Sequence, residues 1–104
     1  MIVEQRDYHV FTGKLVELVR LYDEDGIALQ QEHLGGLIGV FTTDVGALST
    51  YTSLWGYDGF AERAQRRAKL QADERWQAFL ARIQPLIHTQ QNRILVPTAF
   101  SPLR

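Results

Sequence analysis

Apolar and polar positions along the 104 residues follow two alternating periods. Residues 2–11, IVEQRDYHVF, repeat every second position, so Ile2, Glu4, Arg6, Tyr8 and Val10 share one face of a strand. Val3, Gln5, Asp7, His9 and Phe11 share the other. Both faces mix apolar and polar groups, which suits a strand with helices on one side and a partly wet surface on the other. The period then lengthens. Leu15, Leu18, Val19 and Tyr22 recur at helical spacing behind Thr12, whose hydroxyl suits an N-cap. Gly26, in the segment DEDG, predicts a kink or brief stop, because glycine costs about 1 kcal/mol inside a helix. Helical pattern resumes at Ile27 and ends at Gly35-Gly36.

LIGVFTTDVG, residues 37–46, predicts a second strand, and Gly46-Ala47 a tight turn into a third. In that third strand Ser49, Tyr51, Ser53, Trp55 and Tyr57 face one way, and Leu48, Thr50, Thr52 and Leu54 the other. Asp58 suits the cap of a helix whose buried side is predicted as Phe60, Ala61, Ala64 and Ala68. Asp73 suits the cap of another, with Trp76, Phe79, Leu80, Ile83 and Ile87 as its apolar stripe. Pro85 must kink that helix or start a separate turn. NRILV, residues 92–96, predicts a fourth strand, followed by an extended tail, PTAFSPLR.

Strand, helix, strand, strand, helix, strand is the ferredoxin-like βαββαβ order of the α+β class. It predicts a four-stranded antiparallel sheet in the order 4-1-3-2 with helices on one face. The uncovered face is expected to carry aromatics, and a second copy would shield it and the sheet edges. The expected assembly is a homodimer, two sheets closing an α+β barrel.

Composition narrows the chemistry. The length gives a single domain, residues 1–104. A formal net charge of -1 provides no broad attraction for nucleic acid or an anionic membrane. The chain has no cysteine, which excludes disulfides, thiolate catalysis and thiolate metal sites. No apolar run approaches the ~20 residues of a membrane span, and the N-terminus lacks a signal-peptide pattern. A cytoplasmic location is the expectation.

Candidate site residues each have two readings. Arg63, Arg66, Arg67 and Lys69 form the densest basic cluster. They either hold an anion or make a solvated helix face, with Glu62 pairing to Arg66 at i,i+4. Tyr8, Tyr51, Trp55 and Tyr57 either line a ligand pocket or pack the core. His33 is the histidine best placed for acid–base work, and its other reading is a favoured charge at a helix C-terminus. Arg93 either binds an anionic substrate or pairs with Glu4 or Asp44. No two histidines stand at metal-ligand spacing, so no preformed metal site is expected; no cofactor is expected either. No Gly-rich phosphate loop or nucleophile elbow is present.

The segments LWGYDGFAERAQRR at 54–67, DERWQAF at 73–79 and QNRILVPTAFSPLR at 91–104 resemble the NIPSNAP family, within the dimeric α+β barrel superfamily. HLGGLIGVFTTDVGALS at 33–49 fits the same pattern. The resemblance covers the chain from its first strand to its last residue. It implies the fold above and a dimer, and it implies no particular chemistry. Haem-degrading members of the superfamily carry a Trp on the third strand and a ligating His on the next helix. Trp55 matches the first, but residues 59–70 contain no His.

Two functions follow as expectations. The first is a dimeric module that binds a small molecule or interacts with a partner, as the lack of an acid–base or metal constellation suggests. The alternative is a cofactor-independent monooxygenase or isomerase acting on an aromatic or polyketide-like compound, for which His33 and Arg93 are the catalytic candidates.

Overall fold

The structure, a computed structural model, describes residues 1–104. Its strands are β1 (Ile2–Val10), β2 (Leu37–Thr42), β3 (Thr50–Tyr57) and β4 (Ile87–Leu95). Its helices are α1 (Leu15–Leu21), α2 (Ile27–Leu34), α3 (Phe60–Ala72) and α4 (Glu74–Ile83). The sheet is antiparallel in the order β2-β3-β1-β4, as the element order predicts.

Register decides which side chains meet the helices. Ile2 lies opposite Tyr57, Glu4 opposite Trp55, Arg6 opposite Ser53 and Tyr8 opposite Tyr51. On the other flank Glu4 faces Ile94, Arg6 faces Asn92 and Tyr8 faces Gln90. These residues make the covered face. Trp55, Tyr57, Tyr51 and Tyr8 are all buried in it, together with Leu18, Leu21, Tyr22, Leu70, Trp76, Phe79 and Ile83 from the helices. Trp55 Nε1 donates to Ser53 Oγ at 3.0 Å, so its buried N–H is satisfied. The strand aromatics therefore serve the core. The uncovered face is largely polar: Asp7 accepts from Thr52 at 2.7 Å and from Gln5, and the exposed apolar groups beside it include Phe41 and Leu95.

Several boundaries differ from expectation, each for a local reason. Thr12 caps nothing, because Gly13 takes a positive φ of 83° and α1 starts only at Leu15 behind Lys14. The disturbance at Gly26 is a π-helical turn over Tyr22–Gly26 that joins α1 to α2 without a break. A Cβ on Gly26 would collide with the Phe79 ring, so the missing side chain lets α4 approach this turn. β2 stops at Thr42, since Gly46 and Ser49 both adopt positive φ and residues 43–49 form a loop in place of a tight turn. Pro85 opens a separate 3-10 turn, Gln84–Leu86, and β4 begins there, five residues earlier than residue 92. Ile87 accordingly belongs to β4, and Leu80 of α4 is exposed. Asp73 does cap α4, accepting from the Arg75 N–H at 2.8 Å.

The largest correction concerns α3. Phe60, Ala61, Ala64 and Ala68 are exposed, and the helix turns Glu62, Arg63, Arg66, Arg67 and Leu70 inward. The cause is Glu4, whose side chain is fully buried on β1. Arg63 Nη2 reaches it at 2.8 Å and Arg63 Nε at 3.2 Å, a two-point grip on the carboxylate. Asn92 Nδ2 donates to it at 2.8 Å and Arg6 Nη1 at 3.1 Å. A buried carboxylate without these partners would cost several kcal/mol, so α3 must bring a guanidinium to it. Burial alone pushes the Glu4 carboxyl up. The hydrogen bonds from Arg63 and Asn92 and the charges of Arg6 and Arg63 outweigh that and hold it at about 2, below its ordinary 4.5.

A depressed carboxylate pKa stabilises the fold above the unfolded-state value and loses that effect as pH falls. For Glu4 the contribution is complete above about pH 4.5 and disappears as pH drops toward 2. Glu4→Gln should therefore lower stability at pH 7 by about 2 kcal/mol, or about 10 °C in Tm. The gap between variant and wild type should narrow in denaturation curves run below pH 4.5. An unchanged Tm at pH 7 would contradict this role. Gly36, at φ 25°, presses against the Gly56 backbone, and Gly56 N–H donates to its carbonyl at 2.7 Å. Gly36→Ala should cost about 2 kcal/mol or more in urea unfolding, from strain and the collision with the Gly56 carbonyl.

Candidate functional site

The inward turn of α3 brings Arg63 and Arg67 beside Arg6 of β1, and Arg6 and Arg63 share the Glu4 carboxylate. Arg6 lies on β1, and Arg63 and Arg67 stand one helical turn apart on α3. Between them and β4 is a cleft of about 310 Å³ bordered by Arg6, Tyr8, Arg63, Arg67, Gln90 and Asn92. Arg63 and Arg6 share Glu4, and Arg6 also donates from Nε and Nη2 to the Tyr8 hydroxyl at 3.3 and 3.2 Å. Arg67 is half-buried and bonds to no carboxylate or carbonyl. Burial and the neighbouring charge of Arg6, with a smaller push from Arg63, lower its pKa. The cluster carries three positive charges against one negative.

Tyr8 is the one ring at this cleft. Its hydroxyl accepts from Arg6 and lies beside the buried hydroxyl of Tyr22. Its ring stacks on Tyr51 with centroids 6.1 Å apart, and Tyr51 stacks on Tyr22 at 4.7 Å. Tyr57 is 2% exposed and its hydroxyl has no hydrogen-bond partner, yet it feels Glu4, Arg67, Arg63 and Arg6. Burial, then the Glu4 charge, raises its pKa. Tyr57 therefore lies beneath the charge cluster, as a neutral phenol.

The remaining candidates lie apart. Arg93 is exposed on the uncovered face opposite Gln5, on the far side of the sheet from Tyr8, Tyr51, Trp55 and Tyr57. It pairs with neither Glu4 nor Asp44: Glu4 points to the other face, where Arg63 and Asn92 occupy it. His33 is in the last turn of α2, and its Nε2 lies 2.8 Å from Asp73 Oδ2. The same carboxylate caps α4, so this contact fastens the end of α2 to the start of α4. Glu32, His33 and Asp73 each bring a ligand-type atom within 4.8 Å of the others. Arg75 Nη2 sits 2.6 Å from Glu32 and 2.7 Å from Asp73, so a guanidinium already takes the place a metal cation would need. Arg66 pairs with Glu62 at 2.9 Å, as the i,i+4 spacing predicts, and it also donates to the Leu34 carbonyl at the end of α2.

Sequence reasoning missed Glu4 as the carboxylate that Arg63 and Asn92 both hold. The signal was present in part, since Glu4 shares a strand face with Ile2, Tyr8 and Val10. Its pairing with Arg63, 59 positions later, depends on tertiary structure.

No helix is long and apolar enough to cross a membrane. Among solved structures, a NIPSNAP family protein from Agrobacterium tumefaciens is 52% identical with a TM-score of 0.97, over 99% of this chain and 98% of that one. A NIPSNAP-like domain protein from Burkholderia xenovorans is 44% identical with a TM-score of 0.94, over 97% of this chain and 88% of that one. An antibiotic biosynthesis monooxygenase shares the fold alone, at 11% identity and a TM-score of 0.65 over 94% of this chain and 99% of that one. Among curated proteins, human NipSnap homolog 3A is 40% identical over 68 residues, which are 65% of this chain and 28% of that protein. Zebrafish NipSnap homolog 1 is 29% identical over 103 residues, 99% of this chain and 36% of that protein. The chain thus spans about a third or less of the length of these curated relatives. The NIPSNAP family model matches residues 3–102, and the chain belongs to the NIPSNAP family.

Proposed function

We propose that the protein is a homodimeric binding module for a small anionic ligand, seated in the cleft between α3 and the β1–β4 pair. The observation that carries this reading is Arg67. A half-buried guanidinium among like charges, without a carboxylate of its own, is costly unless an anion completes it. Arg6 and Arg63 are already oriented by Glu4, so the cleft is organised before a ligand arrives. The pattern suits recognition more than catalysis: it offers cations and hydrogen-bond donors, and His33 is committed to Asp73 elsewhere. The fold shared with a monooxygenase at 11% identity supports the architecture and not its chemistry.

The dimer rests on the uncovered face of the sheet. Phe41 is 55% exposed and Leu95 40% exposed there, beside Leu54. A second copy laid face to face would bury them, with the Asp7 network at the centre. This face is opposite the cleft, so assembly and ligand binding are separable.

Light scattering at micromolar concentration should return twice the mass of the chain, and Phe41→Asp should return one chain; a monomeric wild type would overturn the dimer. Millimolar phosphate should raise Tm by about 3 °C or more over chloride at equal ionic strength. Arg67→Gln should remove that increment, and Phe41→Asp should keep it. An increment that survives Arg67→Gln would place anion binding elsewhere.

A further inference from the structure

We infer that the cleft takes a hydrophilic dianion, a phosphate monoester of a small polyhydroxylated molecule. This deepens the anion-binding reading above and rests on it. Two observations set the class: the charge count and the lack of apolar wall.

Two guanidinium groups share the Glu4 carboxylate and a third, Arg67, lines the same cleft without one, so two positive charges stay uncompensated. A monocarboxylate would neutralise one and leave the other half-buried. A phosphate monoester carries about -1.5 to -2 at pH 7 and offers three terminal oxygens. Three guanidinium groups bordering one cleft supply donors for those oxygens. Glu4 is what sets the count. Without it the cleft would hold three free cations, and Arg6 and Arg63 would lose the partner that aims them.

The rest of the lining decides what carries the phosphate. The only ring is Tyr8, and it is stacked against Tyr51, 5° from coplanar. No aliphatic or aromatic wall remains for an apolar body, which argues against the aromatic or polyketide-like compounds that the fold alone suggests. Gln90 presents a free amide from β4, and Asn92, whose Nδ2 is bonded to Glu4, keeps its carbonyl oxygen as an acceptor. Amide donors and acceptors beside an anion subsite suit hydroxyl groups. A volume of about 310 Å³ is at the small end of ligand pockets, room for about ten water-sized groups.

Titration calorimetry at low salt with glycerol 3-phosphate, inorganic phosphate and benzoate tests the assignment. Glycerol 3-phosphate should bind about tenfold or more tighter than benzoate. Arg67→Gln, shown to be folded by its thermal transition, should weaken it about tenfold. Gln90→Ala should weaken glycerol 3-phosphate and leave inorganic phosphate unchanged. Benzoate binding as well as the ester, with the same dependence on Arg67, would overturn the hydrophilic class and leave the anion cleft standing. An ester no tighter than inorganic phosphate, and indifferent to Gln90→Ala, would overturn the polyol. No binding by any of the three would overturn both readings.

Discussion

A single buried carboxylate governs the arrangement of this domain. Glu4 lies on the covered face of β1 between Ile2 and Arg6, where an apolar residue would ordinarily pack. An ionised group there is tolerable only with partners, and they come from three elements: Arg6 from β1 itself, Arg63 from α3 and Asn92 from β4. The polar pairing thereby fixes the rotation of α3 about its axis. Apolar packing alone specifies α3 weakly, because Leu70 is its one fully buried residue. An ion pair costs desolvation and adds little net stability, but it is strongly directional, and here the direction determines which face of a helix meets the sheet.

The candidate cleft follows from that rotation. An α3 turned the ordinary way would bury its alanines and give its arginines to solvent. Turned as it is, it exposes Phe60 and Ala64 and delivers Arg63 and Arg67 to the cleft. The carboxylate satisfies part of the positive charge it recruits and leaves Arg67 over. Beneath this layer the core is conventional. Tyr51, Tyr22, Phe79 and Trp76 pack in series within the core that also holds Trp55, and the π-helical turn at Tyr22–Gly26 brings Tyr22 onto Tyr51 while Gly26 gives way to Phe79.

The sheet order and the family were legible because period-two and period-3.6 patterns alternate cleanly and three separated segments carry the family's character. Gly26 was legible as a disturbance. Its form was not, since a π-turn and a break both follow from one glycine. The cap at Asp73 was readable from local chemistry, whereas Thr12 was not a cap because the positive φ at Gly13 delays the helix. The face of α3 was misread for a physical reason. Periodicity assigns alanine inward and arginine outward, and only a charged partner on another element reverses that. For Arg93 the sequence leaves open an anionic substrate or a pairing with Glu4 or Asp44, and the register turns Arg93 and Glu4 to opposite faces. Trp55 and Tyr57 had the packing and pocket readings open, and burial assigns them to the core with the Tyr57 hydroxyl beneath the charges.

The decisive question is whether the inward-turned arginines hold an anion. Crystals soaked in tungstate, which mimics phosphate in charge and shape and scatters anomalously, put the question directly. An anomalous peak is expected within hydrogen-bond distance of Arg6, Arg63 and Arg67, with Glu4 still bonded to Arg63. Tungstate bound elsewhere, with Arg67 swung into solvent and the cleft empty, would contradict the anion-binding reading.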